Sequence, residues 1–274
     1  MQGRRLLCYP RAMRLSTALC LLLLPLAACA GSTPGAKGPL NYSGNAQRSY
    51  EVGMKEYQKA NYIEATKFFT QVKRRFPYSK YAILAELRIA DCSFQREAYM
   101  EAIDAYKLFI KFHPTNENLA YSQYQIADAH FLQGPEDWWF LPPSHEKDLS
   151  PVVDALTEVK RFIKLHPGSG LMPKAQELLK KVERKLADHE LYVARFYMGR
   201  EKWGAAAGRL EFTVEKYPTL AGDEEVLYRL GAVYAAMGRH EKARLVFQKL
   251  TTEKPKNKWA KKVASYLAKP APKK

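Results

Sequence analysis

The chain has 274 residues, 47% hydrophobic and 26% charged, with 15 glycines and 16 prolines, which is ordinary globular usage and excludes a collagen-like, low-complexity or mostly disordered polypeptide. Its formal charge of +16 invites a nucleic-acid reading, but four arginines without an acid fall in residues 1–28 and eight lysines without an acid follow from Lys254, leaving only about +4 on the body between. Four cysteines, three of them within the first 29 positions, are too few for a disulfide scaffold.

Arg4, Arg5, Arg11 and Arg14 precede an uncharged apolar run from Leu15 to Ala28, the layout of an export signal. As a helix the run would reach about 21 Å, short of the roughly 30 Å hydrocarbon core, so it is a signal and not a span. Leu26-Ala27-Ala28-Cys29 resembles the lipobox of bacterial lipoproteins. The resemblance implies cleavage before Cys29 and its acylation, and Ala30 at the next position implies the outer membrane. Residues 29–44, rich in Gly, Ser, Pro and Ala, are expected to form a flexible tether.

The body repeats. Pro77, Pro114, Pro167, Pro218 and Pro255 each end a helical pattern, and twelve residues before each stands an alanine: Ala65, Ala102, Ala155, Ala206 and Ala243. Twenty-four residues before four of the prolines comes a second small residue, Gly53, Ala90, Ala194 and Gly231; in the third unit the matching Ala127 is displaced by a 16-residue insertion. Apolar residues recur at helical spacing, as in Tyr62, Ala65, Phe68, Phe69, Val72 and Phe76, and strand-type alternation is absent.

The pattern resembles the tetratricopeptide repeat, and the reading is an all-α solenoid of five helix pairs, three plus two, with an insertion in the third. Repeats one to three are expected over 45–172 with the insertion at 134–150. A linking helix between 173 and 200 and repeats four and five fill 173–258, and a basic tail follows from 259. A stacked solenoid curves and leaves a concave face. Projection of the repeat puts Tyr50, Met54, Tyr57, Asp91, Phe94, Tyr121, Tyr124, Asp128 and Phe131 on it, an aromatic groove suited to an extended peptide. Trp138, Trp139 and Phe140 in the insertion form an apolar cluster that is either a lid folded onto the solenoid or a contact site for a partner.

Three features together resemble the BamD (ComL) family of outer-membrane lipoproteins. They are the run Phe109-Ile110-Lys111-Phe112-His113-Pro114-Thr115-Asn116 leading to Tyr121 and Tyr124, the aromatic-acidic insertion, and Glu190-Leu191-Tyr192-Val193-Ala194-Arg195-Phe196-Tyr197 before Trp203. The resemblance covers roughly residues 45 to 258. It implies a lipid-anchored scaffold on the periplasmic face of the outer membrane. Such a scaffold binds the periplasmic domains of a BamA-type β-barrel insertase and other lipoproteins of the assembly machinery, and helps deliver unfolded outer-membrane proteins. It further implies an insertase contact at Arg209 and client binding in the N-terminal groove. The alternative is a repeat lipoprotein serving peptidoglycan synthesis or pilus secretin assembly.

Catalysis finds no support. The six histidines are scattered without a metal-ligand pair, and His113, His166 and His240 fall at helix ends. Neither a nucleophile elbow nor a phosphate-binding glycine loop occurs, and Cys92 is expected to be a small buried hydrophobe. No enzyme activity, cofactor, metal or nucleic-acid partner is expected.

Overall fold

The computed structural model describes residues 42–136 and 143–268. Cys29 and the cluster Trp138, Trp139 and Phe140 lie outside them, as does most of the expected tether. Residues 41–274 belong to one compact unit. Every regular element among the described residues is helical: α1 (Tyr42–Gln58), α2 (Tyr62–Arg75), α3 (Lys80–Gln95), α4 (Tyr99–Phe112), α5 (Leu119–Gln133), α6 (Ser150–Leu165), α7 (Met172–Met198), α8 (Trp203–Lys216), α9 (Glu224–Ala236), α10 (His240–Glu253) and α11 (Ala260–Leu267).

Proline sets the register. Each of α2, α4, α6, α8 and α10 ends two residues before one of the five prolines, and the residue between is forced out of the helical region, with φ from −115° to −135° and ψ from 51° to 74°. The five alanines twelve residues earlier are all fully buried. Four residues after each stands a large side chain at 3% exposure or less, in turn Phe69, Tyr106, Val159, Leu210 and Phe247. The alanine lets the paired helix approach, and the larger residue one turn on fills the space beside it. In the first and fifth pairs the aromatic needs still more room. A Cβ on Gly53 would stand 2.7 Å from the Phe69 ring, and one on Gly231 2.5 Å from the Phe247 ring.

Within four of the pairs the chain turns identically. The backbone N–H groups of Asn61, Ala98, Lys202 and Arg239 reach back to the carbonyls of Glu56, Ser93, Tyr197 and Tyr234 at 2.8–3.0 Å. The residue before each donor is left-handed: Ala60, Glu97, Glu201 and Gly238, with φ between 57° and 72°. This is the Schellman ending, which satisfies the last carbonyls of the first helix. Only the fifth pair uses the residue best suited to it, so the other three each carry about 1 kcal/mol of strain. In the third pair Gly134 has φ −66° instead, and the insertion begins there.

Among the described residues the core is a succession of four clusters. Phe69, Val72 and Cys92 anchor the first, and Tyr106, Phe109 and Ile126 the second. Phe162, Leu178 and Val182 anchor the third, and Leu210, Leu227 and Phe247 the fourth. Helix α7, 27 residues and about 40 Å long, serves two of them, giving Ala175 to Ala187 to the third and Leu191 and Ala194 to the fourth. Midway along it the fully buried Glu183 accepts from Thr219 N (3.1 Å) and Oγ1 (2.5 Å) and stands 3.3 Å from Lys160 Nζ. Its neighbour Arg184 pairs with Asp223, which caps α9. The linking helix is therefore pinned to the connection that follows α8.

Two boundaries differ from expectation. Helix α1 begins at Tyr42, inside the stretch assigned to the tether. The stretch assigned to a basic tail from 259 begins with α11, an eight-residue helix that buries Val263 and packs Trp259, Tyr266 and Leu267 against the last cluster. Trp259 stacks on Tyr228 at 4.1 Å, so this helix closes the end of the core.

Candidate peptide-binding groove

Helix α1 touches α3, and α5 touches α7, whereas α2, α4 and α6 make no comparably extensive contact with one another. First helices therefore form the inner layer and second helices the outer one, as in a curved solenoid. On the inner layer the structure brings Tyr50, Tyr57, Asp91 and Tyr121 together around Arg88, which sequence reasoning missed. Asp91, 1% exposed, accepts from Arg88 Nη1 (2.6 Å), from the Tyr106 hydroxyl (2.6 Å) and from the Tyr121 hydroxyl (2.9 Å). Arg88 Nε donates to the Tyr50 hydroxyl at 3.3 Å. The carboxylate joins α3, α4 and α5, and Arg88 extends the network to α1; burial and the Asp91 charge push the Tyr57 hydroxyl up to about 12. The Asp91 carboxylate has three donors, one of them its counter-ion Arg88, so it is a structural element beneath the inner layer, while the Tyr57 and Tyr121 rings are half-buried above it.

The remaining sequence-derived positions divide. Met54 packs with Tyr50 on the first cluster, and Phe94 meets Tyr99 edge-on at 5.6 Å beside the α3–α4 turn. Tyr124, Asp128 and Phe131 face α7. Burial raises Asp128 while Lys181 and Lys174 pull it back, and Lys185 stands 5.5 Å from the Phe131 ring. Tyr124 rises to about 12 through burial and the Asp128 charge. The inner-layer positions accordingly fall in two places, a tyrosine-lined one over α1, α3 and α5 and an aromatic-acidic one between α5 and α7.

Arg209 lies elsewhere, exposed on α8, with Nη1 3.2 Å from the Glu190 carboxylate of α7. Around it the surface is shallow. Gly204 and Gly208 have open space where a Cβ would stand. Tyr197, Ala205 and Phe212 line a cleft of about 330 Å³ with Gly208 and Arg209, and Phe196 and Phe212 are 49% and 42% exposed. The return arm of the insertion docks nearby: His145 packs on the Tyr192 ring at 4.9 Å, and its carbonyl is 2.6 Å from His189 Nδ1. Cys92 is buried as expected, and burial lifts its thiol to about 11, far from a reactive thiolate. His113 and His166 sit at helix C-caps, each against the phenylalanine four residues before it. No described helix is long and apolar enough to cross a membrane.

Known proteins with this sequence pattern point one way. The chain is 26% identical over 249 residues to the outer membrane protein assembly factor BamD of Xylella fastidiosa (strain 9a5c), covering 89% of this chain and 84% of that one. It is 27% identical over 243 residues to the protein of the same name from Neisseria meningitidis serogroup A, covering 85% and 89%. Among solved structures, a thermophilic TPR protein of Thermus thermophilus shares 17% identity over 81% of this chain and 98% of that one, with a TM-score of 0.34. Both sequence relatives are named as outer membrane protein assembly factors. The family model described as YfiO, outer membrane lipoprotein, matches residues 43–266, nearly the whole described body, and the chain belongs to that family.

Proposed function

We propose that the chain is a lipid-anchored adaptor of outer-membrane β-barrel assembly. It holds an unfolded client along the inner groove of its first three helix pairs and docks on the periplasmic domains of the insertase through its C-terminal half. The observation that carries this reading is the separation of two surfaces on one stack. A tyrosine-walled groove over α1, α3 and α5 is braced from below by Asp91 and Arg88. A shallow face of small and aromatic residues surrounds Arg209 on α7 and α8. An extended peptide with aromatic side chains suits the first, because Tyr57 and Tyr121 offer ring faces and hydroxyls without a free charge. A folded domain suits the second, because glycines at 204 and 208 let a partner backbone come close and the exposed Phe196 and Phe212 supply anchors. Cys29, acylated, would hold the assembly at the membrane, and Trp138, Trp139 and Phe140, outside the described residues, would serve it either as a lid or as a partner contact.

The test is recovery of the insertase with the full chain from solubilised outer membrane. Arg209→Glu is expected to reduce recovery at least about tenfold, as loss of a central charged contact does. Because Arg209 also pairs with Glu190, the swap Arg209→Glu with Glu190→Arg restores the internal pair and is expected to remain defective. Gly208→Gln, which gains up to about 1 kcal/mol of helix propensity, is expected to melt no lower than the parent and still lose the insertase. Rescue by the swap together with a harmless Gly208→Gln would reduce Arg209 to an internal ion pair and remove the docking face. Recovery of peptidoglycan synthases or a secretin without the insertase would favour the alternative adaptor role. The relatives described above, named for outer membrane protein assembly, lend that alternative no support.

A further inference from the structure

The excess positive charge of the body is confined to one end of the stack. Residues 42–238 contain 27 basic and 26 acidic side chains, so the stack is nearly neutral from α1 through α9. Residues 239–268 contain nine basic and two acidic ones. From residue 254 onward all eight basic residues are lysine and none is arginine; three of them, Lys269, Lys273 and Lys274, lie outside the described residues. Within the described part, Lys254 and Lys256 occupy the turn between α10 and α11, and Lys261 and Lys262 the first turn of α11. All four are exposed, and none forms an ion pair among the described residues. Of the acids nearest this end, Asp223 pairs with Arg184, Glu225 with Arg229 and Lys258, and Glu253 with Lys249, while Glu224 accepts from the Lys258 backbone N–H at 3.2 Å. Among the described residues none of these acids forms an ion pair with Lys254, Lys256, Lys261 or Lys262, all four of which face solvent.

Lys262 lies over the Trp259 ring, but neither it nor Lys261 forms an ion pair among the described residues. A cation in the first turn of a helix opposes the helix dipole, and α11 has no acidic residue there to offset it. Solubility does not require it, since acids and bases are interspersed everywhere else on the surface. We propose that the C-terminal cap, through Lys254, Lys256, Lys261 and Lys262, is a second membrane contact that binds the anionic phosphate headgroups of the bilayer. Lysine is the residue for this task, a compact, mobile point charge suited to a fluid field of phosphates, whereas arginine supplies the fixed fork of specific protein interfaces and lysine is depleted from them. Trp259 beneath the cluster stays stacked on Tyr228 with Lys258 and Lys262 at 5.0 and 5.5 Å from its ring, so the contact is electrostatic and not an inserted aromatic. The proposal rests on the outer-membrane setting of the proposed function. With a lipid on the N-terminal side and a polybasic cap at the far end of the chain, a weak headgroup contact becomes an intramolecular one and orients the stack.

The test uses residues 30–274 without lipid, which contain the whole compact unit, and sedimentation with vesicles of phosphatidylcholine alone or with one-third phosphatidylglycerol. The parent is expected to bind only the anionic vesicles, and less as salt is raised. Lys254→Glu, Lys256→Glu, Lys261→Glu and Lys262→Glu combined are expected to weaken binding by about tenfold or more, while the same charge change at Lys55, Lys107, Lys164 and Lys174 leaves it within about twofold. Melting curves of both variants exclude unfolding as the cause. Equal loss in both variants, retained binding in the cap variant, or no preference of the parent for anionic vesicles overturns the proposal. So does loss of insertase recovery in the cap variant with no vesicle binding by the parent, which would give the lysines to a protein partner. None of these outcomes bears on Arg209, whose role is read by insertase recovery alone.

Discussion

Asp91→Ala is expected to lower stability by about 3–5 kcal/mol, the cost of breaking a buried charge pair by removing one partner. The side chain is 1% exposed and receives three hydrogen bonds, from α3 itself, from α4 and from α5. Its loss strands the Arg88 guanidinium, whose side chain is 31% exposed, and takes the acceptor from the fully buried Tyr106 hydroxyl. For a body of this size the expected fall in melting temperature is about 10 °C. Because each helix pair is stabilised chiefly by its neighbours, the loss should appear as an early transition of the N-terminal pairs in circular dichroism. Asp91→Asn keeps an acceptor for the hydroxyls and forfeits the charge, and should fall between. A melting temperature within about 2 °C of the parent would show that the network is solvated and does not hold the groove together.

Gly231→Val is expected to cost about 3 kcal/mol, through overpacking of a full core. Its Cβ would stand 2.5 Å from the Phe247 ring, which is 3% exposed and has nowhere to swing. Valine would ordinarily be the better helix former by a few tenths of a kcal/mol, so the sign of the effect reports the close approach itself. Phe247→Ala on top of Gly231→Val should cost little more than Phe247→Ala alone, since the collision is then gone. The same substitution at Gly204, where nothing lies within 4 Å, should leave the thermal melt unchanged or raise it slightly. A rise at both positions would contradict the pairing of small and large residues that spaces the repeat.

What was legible in the sequence is what depends on local sterics. Proline and alanine twelve residues apart mark a helix end and a close approach, and both consequences are realised five times because neither depends on distant partners. The linking helix was legible for the same reason, an unbroken run of helix formers. Partnerships across the fold were not. Asp91 was assigned to the groove, but its engagement by Tyr106, fifteen residues on, is invisible until α4 packs against α3. Arg88, three residues before it, looks like one end of an ordinary surface pair. Arg209 meets Glu190 only after α7 and α8 fold against each other. The left-handed residues Ala60, Glu97 and Glu201 escaped notice because just the fourth instance, Gly238, carries the residue that announces such a turn. Helix α11 was concealed by its own lysines: an eight-residue amphipathic pattern of Val263, Tyr266 and Leu267 is too short to stand out from a basic run.

The central claim is that the inner layer of the first three helix pairs holds other polypeptides. It is tested most directly by photo-crosslinking in cells from residues Tyr57 and Tyr121 on the inner helices, with Phe112, 65% exposed on the outer helix α4, as the comparison. The account predicts that newly exported outer-membrane proteins are captured from the two groove positions and not from Phe112. Capture from Phe112 alone, or equally from all three, would contradict it.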